Sequence, residues 1–262
     1  LGVAIKVSAA DRYGNSICVV QGVGLHGLTK PRNILSAGES GTTIRLMLGL
    51  LSAQNFSSKI TASAGLLKRP MHRVTYPLRL MNASIESKKH KTIESHREEF
   101  APFAINPSKL KGITYSMPVA SAQVKSALLL AGLYAEGSTT VIEKTKTRDH
   151  TERLLKIFKA NIEKQGNKII IAKTDKLRSL PNLNVPSDIS SAAFFMVLGS
   201  IVKGAKITIK GVLLNPTRVG LIKVLKRMGS DIKVMKSDAG SLNHWEPVGD
   251  LFIKYSKLRG TT

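Results

Sequence analysis

Residues 118–137 read PVASAQVKSALLLAGLYAEG, a run that opens on small polar residues and continues as an apolar helix. Ser121, Gln123 and Lys125 line the start of that helix. The first N–H groups of a helix lack an intrahelical acceptor, so a hydroxyl at 121 and an amide at 123 can converge with backbone N–H groups on one phosphate. The same residues also suit plain capping, with Ser121 serving its own helix and nothing else. Ser40-Gly41-Thr42-Thr43 opens a second helix in the same way, and Gly41 permits an anion to approach the backbone closely. Arg69, in KRPM, offers a planar fork for a carboxylate or phosphate, or for a surface ion pair. Arg148, in TRDH, is followed by Asp149, which could hold it as a local ion pair. Arg45, on the Gly41 helix, reads as structural. His72 and His150 stand near these arginines in the chain, and nothing in the sequence assigns either an acid–base role.

The elements that must position these residues repeat along the chain. SGTTIRLMLGLLSAQNFSSKITAS, ASAQVKSALLLAGLYAEGSTTVIE and DISSAAFFMVLGSIVKGAKITIKG share a small-residue helix start, an apolar helix, a turn and a strand. Each is followed by a second helix with an arginine near its start, ending at a small residue and a short strand: Asn82-Ala83-Ser84-Ile85, Ala160-Asn161-Ile162 and Gly229-Ser230-Asp231-Ile232. Val219, Ile222, Leu225 and Met228 recur at helical spacing, whereas Ile207 and Ile209 alternate as in a half-buried strand. Asn215-Pro216 predicts an N-cap and first helical residue. One unit is about 70 to 80 residues, an ordinary supersecondary size. LGVAIKV, at residues 1–7, is similar to the tail of such a unit, and KLRGTT stops just after a strand, so the chain is expected to be a fragment.

Composition sets the class. The 262 residues are 42% hydrophobic, within the globular range. No window approaches the roughly 18 uninterrupted apolar residues of a spanning helix. The opening residues carry no signal-peptide pattern, and a single cysteine, Cys18, can make neither an internal disulfide nor a thiolate cluster, so a cytoplasmic location is expected. Forty Lys and Arg against 17 Asp and Glu give a net charge of +23. That surplus suits a nucleic-acid binder, a membrane-surface protein or an enzyme for small polyanions. The basic residues are dispersed and aromatics are 5%, which argues against a nucleic-acid or membrane role and for polyanionic small molecules.

The ordered motifs ESGTTIRLMLGLL, LLKRPMHRVTYPLRLMNASI, PVASAQVKSALLLAGLYAEG, TRDHTERLL, VPSDISSAAFF, NPTRVGLIKVLKRMGSDI and EPVGDLFIKYSKLRG resemble the 5-enolpyruvylshikimate-3-phosphate synthase family over nearly the whole chain. The resemblance implies an enzyme that transfers the enolpyruvyl group of phosphoenolpyruvate to the 5-hydroxyl of shikimate 3-phosphate, on the route to chorismate and aromatic amino acids. It implies an α/β, enolpyruvyl-transferase-like two-domain fold of repeated βαβαββ units, here incomplete, working without metal or organic cofactor, as a monomer. Residues 1–184 would form most of one domain and 185–262 one repeat of the other, with the boundary near Leu183 to Ser187 in RSLPNLNVPSD. By the same resemblance Ser121, Ala122, Gln123 and Arg148 bind shikimate 3-phosphate, and Gly41, Arg69 and Gln123 bind phosphoenolpyruvate.

The chain departs from the family at Glu39, where Asn is usual, at Ala62-Ser63 and Gly65 before the KRPM segment, and at Ser187, where Gly is usual. Glu39 must point away from any anion, and the turn at 62–65 is expected to be altered. The family's N-terminal Lys-Ser-x-Ser-x-Arg segment and the acid–base groups that follow RGTT are not in the chain, so it is expected to be inactive alone. Asp188 reads as an N-cap rather than as a substitute acid. An enolpyruvyl transferase acting on a UDP-sugar is the alternative within the class, but Cys18 lies in a strand-like run rather than on a loop. A non-catalytic basic anion- or nucleic-acid-binding module is the alternative outside it. Gly41 lacks the methyl that would push toward a phosphoenolpyruvate mimic, so a full-length enzyme is expected to be inhibited by glyphosate.

Overall fold

The computed structural model describes residues 1–11, 16–93, 96–236 and 245–261. They divide into two compact units, one of Leu1–Thr147 and Leu155–Ser179, the other of Arg148–Leu154 and Leu180–Thr262.

In the first unit, β1 (Ala4–Val7) pairs antiparallel with β2 (Cys18–Gln21). Next come β3 (Leu35–Ser36), α1 (Gly41–Ser52), β4 (Ser58–Thr61), α2 (His72–Leu80), β5 (Ser84–Ile93) and β6 (His96–Asn106). Their sheet has the order β3-β4-β6-β5, with β3 parallel to β4 and the other pairs antiparallel. β7 (Thr114–Ser116), α3 (Ala122–Gly132), β8 (Ser138–Ile142), α4 (His150–Ile157), β9 (Ile162–Gln165) and β10 (Lys168–Ala172) follow. Their sheet, β7-β8-β10-β9, repeats the first in order and strand sense. The division between units falls within α4, at 154/155.

The second unit contains α5 (Ile189–Ile201), β11 (Lys206–Leu213), α6 (Gly220–Arg227), β12 (Asp231–Lys236) and β13 (Val248–Lys254), in sheet order β11-β13-β12. Ser187, in a parallel bridge to Val212 of β11, stands where β3 and β7 stand in the other copies. The fold is therefore α/β, built of βαβαββ units. Among the described residues no helix is long and apolar enough to cross a membrane.

Local chemistry accounts for the repeat. The first helix of each copy is capped by its own side chain: Ser40 Oγ accepts from Thr43 N–H, Ser121 Oγ from Val124 N–H, and Asp188 from Ser190 N–H. The second helices end alike. Asn82, Lys159 and Gly229 all have positive φ (71°, 60° and 93°). The next residues, Ala83, Ala160 and Ser230, donate back to Leu78, Leu155 and Leu225 carbonyls at 2.9–3.0 Å. These are left-handed C-caps that satisfy the last carbonyls of the helix. One expectation fails: α6 begins at Gly220 rather than at Pro216. Asn215 Oδ1 does accept from Thr217 N–H, at 2.8 Å, but it caps a turn, and the first helical bond runs from Lys223 N–H to the Val219 carbonyl.

The core of the first unit gathers Ile44, Leu48 and Leu51 of α1 with Ala127, Leu128 and Leu129 of α3 and Phe103 and Ile105 of β6. α3 is apolar on almost every side, as a central helix must be. Gly49 lets α1 lie directly on α3, since a Cβ there would sit 2.1 Å from the Ala127 carbonyl oxygen. The second unit packs Ile189, Ala192 and Met196 of α5 against Val212, Leu251 and Ile253. The other face of α5 leaves Phe194, Phe195 and Ile201 exposed.

A polar clamp holds α2 to its sheet. Glu99 of β6 takes a two-pronged contact from Arg79 (2.8 and 3.0 Å) and a bond from Thr75 Oγ1 (2.7 Å). Burial raises the Glu99 pKa, but the bonds from Arg79 and Thr75 outweigh it and hold the carboxyl below its usual 4.5. A depressed carboxyl contributes stability above its unfolded pKa and loses it as pH falls through the folded one. Glu99→Gln is therefore expected to lower stability at pH 7 and to flatten the acid side of a stability-versus-pH curve below about 4.5, followed by urea unfolding. Lys159→Gly, which relieves the one lysine in a left-handed cap among the described residues, is expected to gain about 0.5–1 kcal/mol in the same assay.

Candidate anion site at two helix N-termini

The close packing of α1 on α3 brings the starts of the two helices together. Gln123, in the first turn of α3, donates from Nε2 to Thr42 Oγ1 at 2.7 Å, and its Oε1 accepts from Arg45 Nη1 at 2.7 Å. Arg45 Nη1 also reaches the Gly41 carbonyl, at 3.3 Å. Arg45 sits four residues after Gly41 on α1, so its side chain folds back over the helix start. With its oxygen held by a guanidinium, the Gln123 amide has one orientation and faces α1 with donors.

Arg69 follows a 3₁₀ turn at Leu66–Lys68 and donates its N–H to the Leu66 carbonyl at 3.0 Å. A Cβ on Gly41 would lie 3.0 Å from Arg45 Nη1 and 3.8 Å from Arg69 Nη1, which places both guanidinium groups at the start of α1. Arg73, in the first turn of α2, adds a third positive charge. Burial, then the charges of Arg73 and Arg69, hold the Arg45 pKa below its ordinary value. Like charges brought this close disfavour one another, and a bound anion would relieve them.

The three helix starts here are capped differently. The Glu98 carboxylate accepts from the N–H groups of Met71 and His72, at 3.1 and 2.8 Å, so the start of α2 already holds an internal anion. α1 and α3 are capped by the hydroxyls of Ser40 and Ser121, and neither has an acidic residue in its first turn. Ser121 Oγ accepts from Val124 N–H at 3.3 Å, which leaves its own proton for a second partner. Capping and anion binding are therefore compatible at Ser121. Ala122 contributes its backbone N–H, among those the first turn leaves without an intrahelical acceptor.

Ser121, Ala122, Gln123, Gly41 and Arg69 all belong to the first unit, and Gln123, Gly41 and Arg69 are brought together there with Arg45. Arg148 belongs to the second unit and is exposed. Its neighbour Asp149 accepts from Asn215 Nδ2 at 2.7 Å and Arg153 Nε at 3.0 Å. His150 Nδ1 lies 2.6 Å from Glu246, and His72 Nδ1 is buried without a hydrogen-bond partner. Glu39 is exposed and takes part in none of the ion pairs among the described residues. Across the 62–65 turn, Ser63 N–H donates to the Gly38 carbonyl (2.8 Å) and the Ser63 carbonyl accepts from Leu66 and Leu67.

Of the residues gathered here, the sequence motifs carry Arg73 without singling it out, include Thr42 only within the helix start Ser40–Thr43, and read Arg45 as structural. Arg45 is indeed a brace, but one within the charged cluster, and its i+4 spacing from Gly41 was the available signal. Lys125 stood in the opening motif as a candidate at the helix start, yet it is fully buried. At the second residue after Gln123 it points into the molecule instead.

A family model described as EPSP synthase (3-phosphoshikimate 1-carboxyvinyltransferase) matches residues 3–260. The 3-phosphoshikimate 1-carboxyvinyltransferase of Methylococcus capsulatus is 49% identical over 243 residues, covering 92% of this chain and 53% of that relative. The Bacillus subtilis protein of the same name is 45% identical over 260 residues, 99% of this chain and 56% of that relative. A solved structure of EPSP synthase from Acinetobacter baumannii superposes with a TM-score of 0.83 at 46% identity, covering 99% of this chain and 56% of that one. The chain thus spans about half the length of the curated relatives it matches.

Inorganic phosphate at ten times its Kd should stabilise the fold by about 1.4 kcal/mol. Thermal unfolding against sodium chloride of equal ionic strength should show the gain as a rise in Tm. In Arg45→Ala the phosphate-induced rise should be largely lost, whatever the variant's own Tm.

Proposed function

Because this chain belongs to the EPSP synthase (3-phosphoshikimate 1-carboxyvinyltransferase) family, we propose that it carries the substrate-binding part of an enzyme that transfers the enolpyruvyl group from phosphoenolpyruvate to the 5-hydroxyl of shikimate 3-phosphate, with release of phosphate. The two substrates together bring two phosphates and a carboxylate, which call for helix N-termini, hydroxyl donors and guanidinium forks. Ser121, Ala122 and Gln123 would hold shikimate 3-phosphate from the start of α3. Gly41 and Arg69 would hold phosphoenolpyruvate at the start of α1. Gln123 carries the reading: a single amide, oriented by Arg45 and bonded to Thr42, joins the two helix starts that would take the two substrates.

The chemistry requires a proton delivered to the enolpyruvyl methylene while the hydroxyl attacks, and a base within hydrogen-bond reach of that hydroxyl. We assign neither role to a residue of this chain, and Asp188 serves as the cap of α5. The contribution proposed for these residues is binding and orientation, the conversion of a bimolecular encounter into a positioned one. No metal or organic cofactor enters this reading, and a cytoplasmic monomer is the accompanying one, checked by sedimentation velocity. Neither the UDP-sugar enzyme nor a nucleic-acid module is favoured by the relatives, which are named for the 3-phosphoshikimate reaction.

Calorimetric titration of the chain with shikimate 3-phosphate is the deciding experiment. Saturable binding is expected, weakened by about 1.5–3 kcal/mol in Ser121→Ala and in Gln123→Ala, the range for hydrogen bonds to a charged group. A folded chain with no affinity, or one whose affinity ignores both substitutions, would refute the assignment.

A further inference from the structure

Lys125 and Glu143 form an ion pair at 2.9 Å with side-chain exposures of 0% and 2%. Lys125 lies in the first turn of α3, and Glu143 follows the last residue of β8. The same oxygen, Glu143 Oε1, also accepts from Thr147 N–H at 3.1 Å and from the Thr147 hydroxyl. Lys125 N–H in turn donates to the Ser121 carbonyl at 3.1 Å. A continuous chain of bonds therefore runs from the cap of α3, through the buried ammonium and carboxylate, to the turn at 143–147.

Packing alone gives no reason for this pair. Burying two charges is costly, and well-packed apolar residues in place of a buried ion pair often match or exceed its stability. Among its neighbours on α3, Val124, Ala127, Leu128 and Leu129 are apolar and buried, and of the buried ones only Ser126 is polar, so an apolar residue at 125 would extend a largely apolar core. What apolar side chains would not supply is direction. The ion pair allows one placement of the first turn of α3 against β8, and it holds both donors of Thr147 on one carboxylate oxygen.

We propose that Lys125 and Glu143 are positioning residues for the anion site at the start of α3, setting the first turn that bears Ser121 and Gln123 and locking the 143–147 turn beside it. The proposal rests on reading that helix start as the shikimate 3-phosphate site. Neither residue touches the ligand in this scheme; both act through Ser121 and Thr147.

The test is thermal unfolding and calorimetric titration with shikimate 3-phosphate on the 262-residue chain. It compares the wild type with Glu143→Gln and with the double variant Lys125→Met/Glu143→Leu. Glu143→Gln strands a buried ammonium and should melt at a lower temperature. The double variant should melt near the wild type yet bind about tenfold more weakly, because the site has lost its alignment rather than its fold. A double variant with wild-type melting and wild-type affinity overturns the proposal and leaves the site reading intact. A folded wild-type chain that does not bind overturns the site reading, and this proposal falls with it. Should the double variant not fold, Thr147→Val decides: weaker binding is expected, and unchanged affinity refutes the positioning role.

Discussion

A Cβ on Gly49 would lie 2.1 Å from the carbonyl oxygen of Ala127, so α1 and α3 meet backbone to side-chain-free backbone. The rest of the first unit depends on that approach. It places Ile44, Leu48 and Leu51 against Ala127, Leu128 and Leu129 in one continuous core. It also leaves two helix starts side by side, close enough for one glutamine to bond across them. Any side chain at 49 would have to push the two helices apart, and with them the starts that Gln123 bridges.

Charge is distributed by the same geometry. The start of α2 is neutralised by Glu98, while the starts of α1 and α3 are closed by hydroxyls, with Arg45 and Arg69 at the start of α1 and Arg45 bonded to Gln123 of α3. A helix start offers partial positive charge and free N–H groups wherever it occurs. Whether it can take an external anion depends on what the fold has already put there. Here one of the three is filled from within, and the other two have hydroxyl caps and no acidic residue in their first turns. The net charge of +23 does not mark these positions, because most of the basic residues contribute to no such arrangement.

The three copies of the βαβαββ unit are alike in caps and strand order but not in burial. In the first unit both sheets contribute to one core, and α3 is enclosed by it. In the second unit α5, its counterpart, buries Ile189, Ala192 and Met196 and leaves Phe194 and Phe195 in solvent. Ser187, with one bridge to Val212, occupies the place of β3 and β7 without extending into a strand.

The sequence by itself determined what depends on near neighbours in the chain. The α/β class, the repeated unit, the caps at Ser40, Ser121 and Asp188 and the left-handed residues at Asn82 and Gly229 are local matters, legible from residue type and spacing. The candidate anion ligands Ser121, Gln123 and Gly41 were legible for the same reason, as helix starts of small polar residues. The helix expected at Pro216 was misplaced because Asn215 caps a turn as readily as a helix, and nothing local separates the two. Only the tertiary structure decided that Gln123 reaches Thr42 and Arg45 across 81 and 78 residues of chain, and that Lys125 turns inward to Glu143. These are contacts between segments brought together by packing, and their energies depend on burial and distance, which no spacing along the chain encodes.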